Sequence, residues 1–134
     1  MLSKVILESN IVQSVKLLDN ADNILITSHI SPDGDAIGSS LGLFHMLKNL
    51  GKSVKVMVPN RYPSFFNWMP GIENVIVMEE NKAESVKIFK ESDLIFCLDY
   101  NAFDRGNGMK PLLATSESKI ILIDHHLNPN IKAD

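Results

Sequence analysis

With one cysteine, Cys97, the sequence cannot close an internal disulfide, so its fold must rest on the core alone. Long apolar runs are also missing. The longest are strand-length, such as Ile120 to Ile123, where crossing a bilayer takes roughly 18 residues, which argues against an integral membrane protein. The N-terminus, MLSKVILESN, lacks the continuous apolar segment of a secretory signal and, with the lone thiol, points to the cytoplasm. Nor is there an excess of positive charge. With 16 acidic against 13 basic side chains the chain is a poor match for long duplexes, so any nucleic-acid partner is expected to be short. Repeats, low-complexity tracts and linkers are absent.

What is present is material for a core. Hydrophobic residues make up 45% of 134 positions, enough for one folding unit and too few residues for two ordinary domains. Ile11, Val12, Val15 and Leu18 recur at helical spacing and predict a first helix that closes near Asp22 and Asn23. Ile24 to Ser28 reads as a buried strand, and after a polar loop Ala36 to Leu50 keeps a helical period up to Gly51. Val54 to Val58, Val75 to Met78, Asp93 to Leu98 and Lys119 to Ile123 read as further strands, with a helix over Glu84 to Glu91 and a loop from Asp99 to Gly108. Strands alternating with helices predict an α/β, Rossmann-like three-layer sandwich with a mostly parallel sheet. Because residues 127 to 134 follow a strand without a covering helix, the chain is expected to be truncated.

Sites in open α/β sheets form at the carboxyl ends of strands. Three such ends carry polar clusters here: His29-Ile-Ser-Pro-Asp33-Gly-Asp35, Asp99, and Asp124-His125-His126. Gathered on one edge, four aspartates and three histidines need positive charge among them, which divalent cations supply. Their mixed carboxylate and imidazole chemistry suits manganese, and also cobalt, iron or zinc, better than a pure magnesium site. Asp33 and Asp35 flank Gly34, which is expected to permit a tight backbone so that the two carboxylates diverge to adjacent ions, and Asp99 on the neighbouring strand is placed to bridge them. Two ions roughly 3.5–4 Å apart would activate water for in-line attack on phosphorus.

Each piece also has a plainer explanation. Asp33-Gly34-Asp35 by itself is an ordinary turn with a helix N-cap, and Asp99 by itself a strand terminator. Co-occurrence at strand ends favours a site. His45, on a helix among Phe44, Met46 and Leu47, reads as a packing or surface residue, and Cys97 as a small buried hydrophobe. Tyr62, Phe65, Phe66 and Trp68 read as core or domain-contact residues before base-stacking ones, because Arg61 is their only basic neighbour. Gly51-Lys52-Ser53 precedes a strand and so is no P-loop, and Gly34, Gly38 and Gly42 lack dinucleotide-fingerprint spacing, so neither ATP nor NAD is implied.

The run from His29 to Ser39, the run Leu98-Asp-Tyr-Asn-Ala-Phe-Asp-Arg105 and the triplet Asp124-His125-His126 together resemble motifs one to three of the DHH phosphoesterases, a RecJ-like superfamily, and within it the nanoRNase and pAp-phosphatase branch. The resemblance implies a first metal on His29 and Asp33, a second on Asp35 and His125, and Asp99 between them. It places His126 at the substrate phosphate, making His126, Asp99 and Asp35 the expected catalytic set, with Asp124 orienting the histidine pair from behind. Asn101 and Arg105 match the family pattern after the bridging aspartate, and Arg105 either contacts a phosphate or caps a helix end. A fourth motif and a smaller C-terminal domain would lie beyond residue 134, so weak or no catalysis is expected of these residues alone.

The expected activity is manganese-dependent hydrolysis, with two Mn(II) ions in the full-length protein, of short oligonucleotides, pAp or linear dinucleotides, with no membrane partner. Family members often pair, so a homodimer is an expectation too. Rivals are an enzyme acting on pyrophosphate or polyphosphate, and a non-catalytic nucleotide-binding module.

Overall fold

In the computed structural model, residues 6–99, 109–125 and 133–134 are described. Among these residues there are four α-helices, α1 (Glu8–Asp19), α2 (Gly34–Asn49), α3 (Lys82–Glu91) and α4 (Lys110–Thr115), and five strands, β1 (Asn23–Ser28), β2 (Ser53–Val58), β3 (Val75–Val77), β4 (Leu94–Leu98) and β5 (Lys119–Ile123), with only short 3-10 turns between β2 and β3. All strand pairs are parallel, in the order β3-β2-β1-β4-β5.

The strands read as near-continuous apolar runs because both faces are covered. Ile24, Ile26, Leu94 and Phe96 point to one face, where Phe44 and Leu47 of α2 and the half-buried Leu17 and Leu18 of α1 meet them. Leu25, Ile95 and Cys97 point to the other, against Ile88 and Phe89 of α3 and Leu113 of α4. These are the three expected layers. Cys97 is fully buried, as a small hydrophobe should be.

Local chemistry sets the boundaries of the helix that matters most for the site. Asp33 caps α2 by accepting the Ala36 N–H at 3.0 Å. At the other end Gly51 adopts φ +76, while its N–H reaches the Lys48 carbonyl and that of Lys52 the Leu47 carbonyl, a Schellman stop. Between them Ile37, Leu41, Phe44 and Leu47 form the buried stripe.

Several sequence expectations shift. The first helix stops at Asp19, and Asn23 already belongs to β1. Helix α4 was not foreseen: six residues, with Pro111 in its first turn, offer too few turns for a period to show. Tyr62 and Phe66 do join a core cluster with Ile37 and Leu41, but Phe65 is 69% exposed and Trp68 76%, so a core role fails for these two. The expected loop 99–108 lies, after Asp99, outside the described residues.

Candidate metal centre

The strand order reverses between β1 and β4. From β1 the chain crosses through α2 to β2 on one side, and from β4 it continues to β5 on the other. A crevice therefore opens at their carboxyl ends. Register does the rest: Ser28 lies opposite Leu98, and Leu98 opposite Ile123, so His29, Asp99 and Asp124 leave neighbouring strands at one level.

Asp99 stands at the centre. Only 7% exposed, it has φ +59, a left-handed turn that aspartate tolerates better than most side chains. Its two oxygens face different partners. Oδ2 lies 3.4 Å from His29 Nε2, while Oδ1 lies 3.0 Å from His125 Nε2. Asp33 Oδ1 completes the first group at 3.7 Å from His29 Nε2, and Asp35 Oδ2 the second at 3.5 Å from His125 Nε2. The structure thus brings together two triads that could each hold a cation, His29-Asp33-Asp99 and Asp35-Asp99-His125, joined through one carboxylate.

Three of these four contacts, at 3.4–3.7 Å, are too long for good hydrogen bonds and suitably spaced around a common cation, while the fourth, Asp99 Oδ1 to His125 Nε2 at 3.0 Å, is at hydrogen-bond distance. A buried carboxylate also calls for a nearby positive charge, and the ion pairs of Asp99 among the described residues are with the two histidines. The donor set therefore fits divalent cations. Enclosure differs between the triads: His29 and Asp99 are buried, whereas Asp33, Asp35 and His125 are exposed.

The supports are backbone groups. His29 Nδ1 contacts the Ile30 carbonyl at 2.6 Å, and since a carbonyl only accepts, Nδ1 carries a proton, which leaves Nε2 as the ring nitrogen that faces Asp33 and Asp99. Ser31, with φ +52, donates its N–H to Asn60 Oδ1 at 2.7 Å. Sequence reasoning missed Asn60. Its signal is positional: it follows β2, the strand beside β1, by two residues. Hydrogen bonding to Ala36 lowers the Asp33 pKa below 3.8; burial opposes this and His29 assists.

Asp124 accepts the His125 backbone N–H at 2.9 Å, a contact to the main chain. His126, Asn101 and Arg105 lie outside the described residues. Gly34 departs from expectation: it has no positive φ, and a Cβ there would meet only the Phe66 ring at an ordinary 3.7 Å. The left-handed turns fall instead at Ser31 and Asp99. His45 is no ligand; its Nε2 contacts the Pro70 carbonyl at 2.8 Å.

Beside the second triad is an open cavity of about 220 Å³ lined by Asp35, Ser39, Leu98, Asp99, Ile123, Asp124 and His125. A larger depression of about 440 Å³ sits at the opposite end of the sheet, around Ser92, Asp93 and Ser116. Size favours the second and chemistry the first, because Asp93 there is occupied by the backbone N–H groups of Asp22 and Asn23.

The model of the DHH family N-terminal domain matches residues 23–134. The chain belongs to the DHH family. This DHH protein is 36% identical over 103 residues to the bifunctional oligoribonuclease and PAP phosphatase NrnA of Thermus thermophilus, covering 77% of this chain and 28% of that one. With the protein of the same name from Mycoplasma genitalium it shares 29% over 122 residues, 90% of this chain and 36% of that one. The chain thus spans about a third of the length of these curated relatives. In three dimensions it matches the crystal structure of an exopolyphosphatase-related protein from Bacteroides fragilis with a TM-score of 0.94 and 46% identity, over 96% of this chain and 38% of that one. No helix among its described residues is long and apolar enough to cross a membrane.

Proposed function

We propose that this DHH protein is a phosphoesterase that holds two divalent cations, manganese foremost, and hydrolyses short oligonucleotides and pAp in the cytoplasm. The carrying observation is Asp99, whose two oxygens face two separate triads. The names of the curated relatives supply the substrate class.

In this proposal His29, Asp33 and Asp99 hold one cation, and Asp35, Asp99 and His125 the other. When bound, such cations activate water and offset charge on a phosphoryl group. The chain's own contribution is positional. Asp99 spaces the two triads; the Nδ1 proton of His29 keeps Nε2 aimed inward; the α2 cap fixes Asp33 and, two residues on, Asp35. His126 facing the substrate phosphate, Asp124 steadying the histidine pair, and substrate contacts from Asn101 and Arg105 belong to the same proposal.

A second substrate class, pyrophosphate or short polyphosphate, draws on the exopolyphosphatase-related neighbour. One experiment separates them: bound manganese is counted in the purified protein, and hydrolysis of pAp, a short RNA and tripolyphosphate is measured with manganese and with chelator. Two ions and turnover of the nucleotides support the first class; turnover of tripolyphosphate alone supports the second. Absence of bound metal at millimolar manganese defeats both.

A further inference from the structure

Asn60 belongs to none of the motifs, yet it holds the peptide unit on which the His29 ring rests. Ile30 and Ser31 share that unit. Its carbonyl, on Ile30, accepts from His29 Nδ1 at 2.6 Å, and its N–H, on Ser31, donates to Asn60 Oδ1 at 2.7 Å. In a trans peptide these groups point in opposite directions, so the plane is gripped at both ends. Donation by the N–H also polarises the carbonyl, which strengthens its hold on the imidazole proton.

The unit needs such a grip. Ser31 is a non-glycine residue at φ +52, and it precedes Pro32, which pushes its neighbour toward extended backbone. Left to local preference, Ser31 would leave the left-handed region and swing the Ile30 carbonyl away from His29. Asn60 lies two residues past the end of β2, the strand hydrogen-bonded to β1, so the clamp is anchored in the sheet and not in the loop.

We infer that Asn60 is a positioning residue of the metal centre, setting through the Ile30–Ser31 peptide the tautomer and direction of His29, so that Nε2 faces Asp33 and Asp99. Its effect on metal affinity rests on the proposed centre. Its effect on the tautomer does not, because the hydrogen bonds stand without metal.

The test compares wild-type protein with Asn60→Ala, which removes the acceptor, and Asn60→Asp, which keeps an acceptor oxygen. Long-range ¹⁵N NMR of the metal-free protein reads the His29 tautomer, and calorimetric titration with Mn(II) alone reads affinity. In wild-type and Asn60→Asp protein His29 is protonated at Nδ1, and in Asn60→Ala the ring becomes a mixture of tautomers. Affinity of the alanine variant falls at least tenfold, the usual cost of losing an outer partner of a ligating histidine. An unchanged tautomer with unchanged affinity in Asn60→Ala overturns the inference. Should the alanine variant fail to fold, the Ser31 amide of wild-type protein decides: exchange as fast as in an unstructured peptide refutes the clamp, and slowed exchange supports it. If wild-type protein binds no manganese, the metal centre itself falls, while the tautomer comparison still judges Asn60.

Discussion

Replacing Asp99 with asparagine should change the metal-free and metal-loaded proteins differently. The two side chains have nearly the same shape and asparagine tolerates a left-handed φ equally well, so the turn at φ +59 survives. The amide oxygen can still accept from His125 Nε2. A carboxylate only 7% exposed is costly to bury, so the metal-free variant should be as stable as wild type or gain up to about 1 kcal/mol. With manganese at a hundred times its dissociation constant, wild type gains about 2.7 kcal/mol. Because Asp99 serves both triads, its loss should weaken binding at least a hundredfold, which reduces that gain to about 0.4 kcal/mol at the same concentration. The difference corresponds to roughly 7–12 °C in a domain of this size. Thermal unfolding of both proteins in chelator and in manganese measures it. An equal manganese-induced rise in the variant would refute the bridging role; a large fall of its metal-free Tm would show that the carboxylate is needed for the fold.

Four further outcomes are expected. Asp33→Asn, which keeps a good N-cap, should leave stability within about 0.5 kcal/mol while weakening manganese binding, whereas Asp33→Ala should also cost about 1 kcal/mol of helix stability, both read by denaturant titration and calorimetry. The depressed pKa of Asp33 makes a contribution that is complete above 3.8 and lost as pH falls through its lower folded value, so wild type should lose Tm relative to Asp33→Asn on acidification toward pH 3, by a small amount because the group is largely exposed. Gly34→Ala should be neutral or stabilising by up to about 1 kcal/mol, since nothing in the backbone demands glycine there; a loss above about 2 kcal/mol would contradict this. Gly71→Ala should cost more than about 1 kcal/mol, since a Cβ at φ +87 would lie 2.7 Å from His45 Nε2, and His45→Ala should recover the steric part in a double-mutant cycle.

How much could be read in advance depended on whether a signal was local. Runs such as Ile24–Ile26 and Leu94–Leu98 are apolar throughout because they are covered on both faces, and such runs announce strands of a parallel sheet without further context. Motif residues at strand ends were legible for the same reason, since a polar cluster after an apolar run stands out. Helix α4 was illegible because six residues cannot display a period. The exposure of Phe65 and Trp68 was illegible too, as aromatic character says nothing about which ring the neighbouring core has room for: Phe66 is taken up beside Ile37 and Leu41, and Phe65, edge-on to it at 4.4 Å, is left outside. The two left-handed turns were illegible because they fall on serine and aspartate, residue types that do not announce a positive φ as glycine does.

The capping and the ligating roles of Asp33 had looked like alternatives, and the structure shows why they need not compete. Oδ1 accepts from the Ala36 N–H at 3.0 Å and still lies 3.7 Å from His29 Nε2. An ionised carboxylate oxygen has more than one lone pair, and the first turn of a helix is where negative charge is best tolerated. The cap holds the carboxylate ionised and fixed in direction, which are the two properties a ligand needs before a cation arrives. Asp99 follows a similar rule on the other side of the crevice. Its N–H extends the β4–β5 ladder to the Ile123 carbonyl at 3.0 Å, so the residue whose side chain faces both triads is fastened to the sheet by its backbone. In both places an ordinary structural device preorganises the candidate ligands.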